Sequence, residues 1–110
     1  MQSKYRLKKN YQYNYVYKHA QSVADKNFVM LYCASNSRQS KFGFSVSKKY
    51  GKAVARNRIR RQMKAAISLY ASDVAYGYNV IFIPRRHEAY NFSDVIASAK
   101  GLLTKAGLLQ

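Results

Sequence analysis

Residues Lys52 to Tyr70 (KAVARNRIRRQMKAAISLY) contain neither glycine nor proline, and this stretch constrains the fold more than any other part of the chain. A run of this kind, placed on a helical wheel at about 100° per residue, gathers its apolar positions within about one third of the circumference. These positions are Ala55, Ile59, Met63, Ala66, Ile67 and Tyr70. The sequence therefore predicts a long amphipathic helix whose apolar stripe packs on a sheet.

The same helix carries a second, cationic face. Asn57, Arg60, Arg61 and Lys64 occupy the arc beside the apolar stripe, with Arg56 at its border and Arg58 and Gln62 on the far side. Guanidinium groups bind phosphate oxygens through paired N–H donors. Lys48, Lys49 and Lys52 lie just before the helix, where free backbone amides and the helix dipole favour an anion. We predict that loop and helix form one site for a nucleic-acid backbone; an ordinary solvated face is the alternative.

The charge balance supports a polyanionic partner. The chain has 20 Lys and Arg residues against 4 Asp and Glu residues, a formal net charge of +16. No carboxylate occurs between Asp25 and Asp73, whereas eleven Lys and Arg residues do. Surfaces that serve solubility alone usually mix both signs. A chain with this imbalance is expected to bind a polyanion such as RNA or DNA.

The remaining elements indicate one α+β domain over residues 1–110. Alternating or continuous apolar residues predict strands over 22–35, 42–47 and 79–83, the last ending at Pro84. A closing helix is predicted to begin near Asn91 or Ser93 and to end before Gly107. The stretch NYQYNYVYKH has tyrosine at positions 11, 13, 15 and 17. This period of two is typical of a half-buried strand, although a helix or an aromatic contact surface would also contain it.

The segment FSVSKKYGKAVARNRIRR resembles the signature of the bacterial ribonuclease P protein family, whose RNR motif corresponds to Arg56-Asn57-Arg58. The resemblance extends from about Tyr5 to the last helix. It implies a two-layer αβββαβα fold with a four-stranded mixed sheet, similar to the second domain of a small-subunit ribosomal protein. It also implies a left-handed βαβ crossover, against the general rule for parallel connections.

The resemblance further implies the function. Such a protein is the non-catalytic subunit of ribonuclease P, and it binds the catalytic RNA and the 5′ leader of precursor tRNA while the RNA subunit removes the leader. We expect Mg²⁺ to be held mainly by the RNA, and we expect the protein to need no organic cofactor. The predicted RNA-binding residues are Lys48, Lys49, Lys52, Arg56, Asn57, Arg58, Arg60, Arg61 and Lys64. Relatives often have Arg-Glu where this chain has Lys64-Ala65, so Lys64 departs from the pattern.

The resemblance also implies that the tyrosine stretch is an N-terminal helix, which lies beside a cleft for the single-stranded leader. The predicted cleft residues are Tyr13, Val16, Tyr17 and Leu31. Leu31 stands where some relatives have a cleft tyrosine, and Tyr32 is expected on the opposite face of the strand. Tyr11 and Tyr15 occupy another face of the helix, which Leu7 can join, at positions where the family more often has polar residues.

Two alternatives differ from this interpretation. A general basic RNA-binding protein, ribosomal or chaperone in type, would have the same composition but no role in tRNA processing. A stand-alone metal-dependent nuclease would need clustered carboxylates or histidines. Here Glu88 and Asp94 are distant, and His19, His87 and Cys33 are too scattered for zinc, so no catalytic or metal-binding residue is predicted. A single cysteine, without a signal peptide or membrane-spanning stretch, predicts a cytoplasmic protein. We also expect the protein to be monomeric alone.

Overall fold

The chain forms a four-stranded mixed sheet with three helices. The computed structural model describes residues 1–85 and 89–109. The elements are α1 (Asn10–His19), β1 (Gln21–Ala24), β2 (Phe28–Ala34), β3 (Lys41–Phe44), α2 (Ala53–Ser68), β4 (Tyr78–Pro84) and α3 (Phe92–Lys105). Short 3-10 helices occupy Ser3–Tyr5, Lys48–Tyr50 and Ala71–Asp73. This order confirms the predicted αβββαβα arrangement.

The strands lie in the order β1-β2-β4-β3. β2 pairs antiparallel with both β1 and β4, whereas β3 pairs parallel with β4, and Phe42 is opposite Val80. The connection between the parallel strands β3 and β4 contains α2. The sheet is therefore mixed and contains one βαβ unit, whose left hand stays a prediction.

The N-terminal segment runs along the outer edge of β3. Arg6 forms a parallel bridge with Phe42, and the Leu7 amide donates to the Phe42 carbonyl oxygen at 2.9 Å. Tyr13 of α1 then packs across the sheet. The first residues thus tie the edge strand to the helix that follows them.

The single strand predicted over residues 22–35 is wrong, because a turn divides it into β1 and β2. The Asp25 carboxylate oxygen Oδ1 accepts hydrogen bonds from the amides of Asn27 at 2.8 Å and Phe28 at 2.7 Å. These bonds satisfy the backbone of the turn and allow the chain to reverse. The other strands and the last two helices lie close to their predicted positions.

The main core lies between one face of the sheet and the pair α2 and α3. Its buried residues include Ile59, Met63, Ala66 and Ile67 of α2, together with side chains of β2, β3, β4 and α3. The predicted apolar stripe is confirmed at these four positions. The prediction is wrong at Ala55, because the first three residues of α2 are all exposed. Tyr70 follows the end of α2; it is half-buried and packs against the main core.

A smaller core on the opposite face of the sheet holds α1. Leu7, Val16 and Ile81 are buried there, with Leu31 packed against them. Leu7 therefore joins the Val16 side of α1, and its predicted place beside Tyr11 and Tyr15 is wrong, because the preceding segment lies against β3. Tyr32 packs with the main core, so the predicted opposition of Leu31 and Tyr32 is confirmed.

The tyrosine stretch is helical. The family resemblance predicts this helix correctly, whereas the period of two is typical of a strand. Val16 is the one fully buried residue of α1, and Tyr11 remains 70% exposed. An almost fully solvated helix need not show a helical hydrophobic period, so the alternation of tyrosines carries no strand information here. Within the described ranges, no helix combines the length and apolar character needed to cross a bilayer.

Candidate nucleic-acid interface

The predicted RNA-binding residues, eight cations and Asn57, lie along α2 and the loop before it, and we call them the α2 cationic surface. Most of its side chains are exposed, and Arg56, Arg60 and Lys64 are half-buried. The residues of this surface are Lys48, Lys49, Lys52, Arg56, Asn57, Arg58, Arg60, Arg61 and Lys64. The structure thus presents all nine residues at the protein surface.

Two of these side chains are held by uncharged partners. Arg56 donates from Nη1 to the Gly51 carbonyl oxygen at 2.8 Å, which fastens the loop to the helix. Arg60 donates from Nη1 to Asn57 Oδ1 at 3.3 Å. Across the described part of the chain, no cation of this surface is paired with a carboxylate. The positive charge is therefore available to a bound anion.

The far side of α2 faces the segment before α3. Gln62 donates from Nε2 to the Tyr90 carbonyl oxygen at 3.1 Å. Arg58 lines a groove of about 420 Å³ with Tyr50 and Tyr90. Arg58 thus lies on a different flank of α2 from Arg60, so an RNA that contacts both must follow the helix around its exposed side.

An aromatic cleft lies between α1 and the sheet. The rings of Tyr13 and Tyr17 are 6.4 Å apart and tilted by 43°. The Tyr13 hydroxyl accepts from the Phe44 amide at 3.3 Å and donates to the Leu7 carbonyl oxygen at 3.4 Å. Burial raises the pKa of this hydroxyl, and the hydrogen bond from Phe44 opposes that rise. Tyr13 is therefore a fixed, neutral ring, whereas Tyr17 is 48% exposed.

The remaining predicted cleft residues lie deeper. Val16 has 0% exposure and packs on Ile81, so it cannot contact an RNA and instead supports the cleft from beneath. Leu31 is half-buried beside it. The sheet side of the cleft is aliphatic at this position, and the tyrosines of α1 supply the aromatic surface.

Glycine at position 43 makes room for Tyr13. A Cβ atom at this position would lie 2.6 Å from the Tyr13 hydroxyl oxygen and 2.7 Å from Cζ. Real Cβ atoms do not make contacts this short. The clean alternation of FGFSVS predicts which face Gly43 occupies but not that a tyrosine ring covers it.

Arg6 connects the cleft with the α2 cationic surface. Burial lowers the pKa of Lys64, and the charges of Arg6 and Arg60 lower it further. The charges of Arg6 and Arg60 also act on the Tyr13 hydroxyl. The charges of Arg6 and Arg60 thus reach both Tyr13 and Lys64. Sequence patterns do not indicate Arg6, because the pairing of its segment with β3 brings it there.

The described carboxylates do not form a metal site. Among residues 1–85 and 89–109, no three His, Cys, Asp or Glu side chains come together. Asp25 is engaged with the backbone of its turn. His87 and Glu88 lie outside the described residues. The donor set of the described chain does not fit a magnesium ion, and the absence of a metal stays a prediction.

Comparisons with known proteins agree on one family. The family model described as Ribonuclease P matches residues 1–107. The ribonuclease P protein component of Clostridioides difficile strain 630 is 38% identical over 104 residues, which cover 93% of this chain and 91% of the relative. That of Clostridium kluyveri is 39% identical over 108 residues, 94% of this chain and 96% of the relative.

Solved structures show the same likeness. The RNase P protein of Staphylococcus aureus superposes with a TM-score of 0.86 at 30% identity, covering 96% of this chain and 98% of that one. The RNase P protein of Thermotoga maritima gives a TM-score of 0.81 at 25% identity, covering 91% of this chain and 96% of that one. The likeness therefore spans nearly the whole chain.

Proposed function

Since the chain belongs to the ribonuclease P protein family, we propose that it assists removal of the 5′ leader from precursor tRNA by binding two RNAs at once. Family membership makes it a subunit of the ribonuclease P holoenzyme, an endoribonuclease of tRNA 5′ processing. The α2 cationic surface binds the ribonuclease P RNA, and the aromatic cleft binds the leader. Because family membership points to tRNA processing, we prefer this function to that of a general RNA-binding protein.

The observation that carries the proposal is the continuity between charge and aromatic rings. Arg60 belongs to the α2 cationic surface, and its charge also acts on Tyr13 in the cleft. In this proposal, an RNA that follows the α2 cationic surface also reaches the rings of the cleft, which can stack on unpaired bases. Stacking on tyrosine requires no particular base, which suits leaders of differing sequence.

The RNA subunit supplies the reaction chemistry in this proposal. Hydrolysis of a phosphodiester bond is commonly assisted by Mg²⁺ held by carboxylates or by phosphates. The described protein residues offer no carboxylate cluster, so we assign the magnesium ions mainly to the RNA. The protein binds, orients and neutralises charge; we place it in the bacterial cytoplasm, monomeric before it meets the RNA.

Cleavage of precursor tRNA by a bacterial ribonuclease P RNA at low Mg²⁺, with and without this protein, tests the proposal. We expect cleavage at the mature 5′ end to require both components. Tight RNA binding without any stimulation of cleavage would contradict the proposal. Cleavage by the protein alone would contradict the assignment of the chemistry to the RNA.

The leader cleft has its own test within the same assay. Tyr17→Ala removes an exposed ring, so we expect weaker binding of precursor tRNA with a leader and unchanged binding of leaderless tRNA. One base stacked on an aromatic ring contributes about 1–3 kcal/mol, equivalent to a loss of at least about fivefold in affinity. Equal losses for both substrates would remove Tyr17 from the leader site.

A further inference from the structure

A second groove lies beside α1, on the flank opposite the aromatic cleft. Its volume is about 650 Å³, within the range of sites that bind small planar ligands. It is lined by residues of α1, of the end of β2 and the loop after it, and of the beginnings of β3 and β4. We call it the Tyr11 groove, after the tyrosine at its rim. The lining residues are Tyr11, Gln12, Tyr15, Ala34, Ser35, Asn36, Ser37, Lys41 and Asn79.

The wall formed by α1 is aromatic and open to solvent. Tyr11 is 70% exposed and Tyr15 is 53% exposed, so neither side chain serves the core. The Tyr15 ring packs against the His19 ring, with ring centres 4.3 Å apart and planes tilted by 37°. Residues 11, 15 and 19 recur every fourth position and therefore follow one side of the helix. The result is a ridge of rings that can stack on a base.

The floor of the groove contains an amide with unused hydrogen-bonding capacity. Asn79 Oδ1 is buried and has no hydrogen-bond partner within the described residues. Buried polar atoms in folded proteins are nearly always paired. An asparagine amide offers both a donor and an acceptor, which matches the edge of a nucleobase. Lys41, half-buried at the start of β3, adds a positive charge for a phosphate.

The occupant is identified by charge and by position. A net charge of +16 favours a polyanion over a protein partner. The aromatic cleft lies across the same helix, and the diameter of an α-helix with its side chains is about 10–12 Å. A single RNA strand that leaves the cleft can therefore cross α1 and enter the groove.

We propose that the Tyr11 groove binds a nucleobase of the 5′ leader, upstream of the nucleotides held by Tyr13 and Tyr17. The base stacks on Tyr11 or Tyr15, its edge bonds to the Asn79 amide after that side chain turns its buried oxygen toward the groove, and Lys41 lies near its phosphate. This inference rests on the proposed function and extends it from a single cleft to a path around α1.

Binding of precursor tRNAs with a short and a long leader to the reconstituted holoenzyme tests the groove. The short leader fills only the cleft, whereas the long leader also reaches the groove. We expect Tyr11→Ala/Tyr15→Ala to weaken binding of the long-leader substrate about tenfold and to leave the short-leader substrate unchanged. Phe92→Ala is the matched control, because Phe92 is an exposed aromatic residue of α3; it should change neither.

A second variant tests the role of Asn79 at the floor of the groove. Asn79→Ala removes the amide while preserving the tyrosines, so we expect long-leader substrates that differ at one upstream base to lose their differences in affinity. In the unmodified protein, a photoreactive uridine at the same leader position should crosslink to the peptide containing Tyr11 and Tyr15. A circular dichroism melt confirms that each variant is folded.

The groove proposal fails if the double variant binds both substrates as the unmodified protein does, or if it loses affinity equally for both. It also fails if the unmodified holoenzyme gains nothing from the longer leader. These outcomes are distinct from failure of the proposed function, in which the unmodified protein would not stimulate cleavage of any precursor tRNA.

Discussion

Gly43 and Tyr13 fit together so closely that the tyrosine ring requires the absence of a side chain at position 43. Gly43→Ala would place its Cβ 2.6 Å from the Tyr13 hydroxyl oxygen, so the ring must move away from the Leu7 carbonyl and the Phe44 amide. Overpacking of this kind costs about 1–3 kcal/mol. We expect a lower free energy of unfolding in urea and weaker binding of leader-bearing substrate.

A double-mutant cycle isolates this contact. In a Tyr13→Ala background there is no ring to displace, so Gly43→Ala should cost much less than it does in the unmodified chain. Additive losses would mean that the cost arises from the strand itself and not from the contact between residues 43 and 13.

Lys64, one of the proposed RNA-binding residues, is expected to lower the stability of the free protein. Burial and the charges of Arg6 and Arg60 lower its pKa. At pH values where Lys64 is charged in the unfolded chain, its lowered pKa in the folded chain therefore disfavours folding. This penalty disappears as the pH rises toward 10.5, the ordinary pKa of a lysine. We expect Lys64→Met to raise the melting temperature at neutral pH, to lose that advantage at high pH, and to weaken RNA binding.

Lys100→Met is the matched control for this prediction. Lys100 is an exposed lysine of α3, so its replacement should leave the melting temperature nearly unchanged. A lower melting temperature for Lys64→Met at neutral pH would show that packing of the lysine stem outweighs the charge.

At the scale of elements, the proposed binding of RNA depends on the charge of α2. Arg58 and Arg61 are exposed and have no carboxylate partner in the described part of the chain. Each phosphate contact contributes about one unit to the slope of log K against log salt. We expect Arg58→Gln/Arg61→Gln to reduce this slope by about two for ribonuclease P RNA, with an unchanged melting temperature.

Lys26→Gln/Lys100→Gln provides the control, because these exposed lysines lie outside the α2 cationic surface. An equal reduction of the slope by both double variants would indicate that RNA responds to net charge rather than to this helix.

The elements also show how far sequence could predict the fold. The helix α2 was predictable because a long apolar stripe and a cationic arc repeat over several turns. The helix α1 was not predictable from its own pattern, since Val16 is its only fully buried residue; the family resemblance was needed. The turn at Asp25 was hidden because β-forming residues continue on both sides of it.

The candidate site divides in the same way. The nine residues of the α2 cationic surface follow from local sequence, because they belong to one loop and one helix. Arg6, Gly43 and the Tyr11 groove depend on segments that are distant in sequence and are joined by strand pairing. Asn79 and Lys41, for example, become neighbours only through the parallel register of β3 and β4.

For the whole molecule, the net charge of +16 has a thermodynamic consequence. Like charges repel in the compact state, and an anion that binds the folded chain stabilises it by mass action. We expect sulfate to raise the melting temperature more than chloride at equal ionic strength, because chloride supplies screening alone. Equal shifts in the two salts would indicate screening without a specific anion site.

The position of the first residues beside β3 also determines how the sheet meets its surroundings. An unpaired edge strand is a template for association with other chains, and the bridge between Arg6 and Phe42 covers this edge with the protein's own backbone. Removal of the first eight residues would expose the edge and the floor beneath Leu7 together. We therefore expect the N-terminal segment to protect the sheet edge from association with other chains. A purification tag is better placed at the other end of the chain.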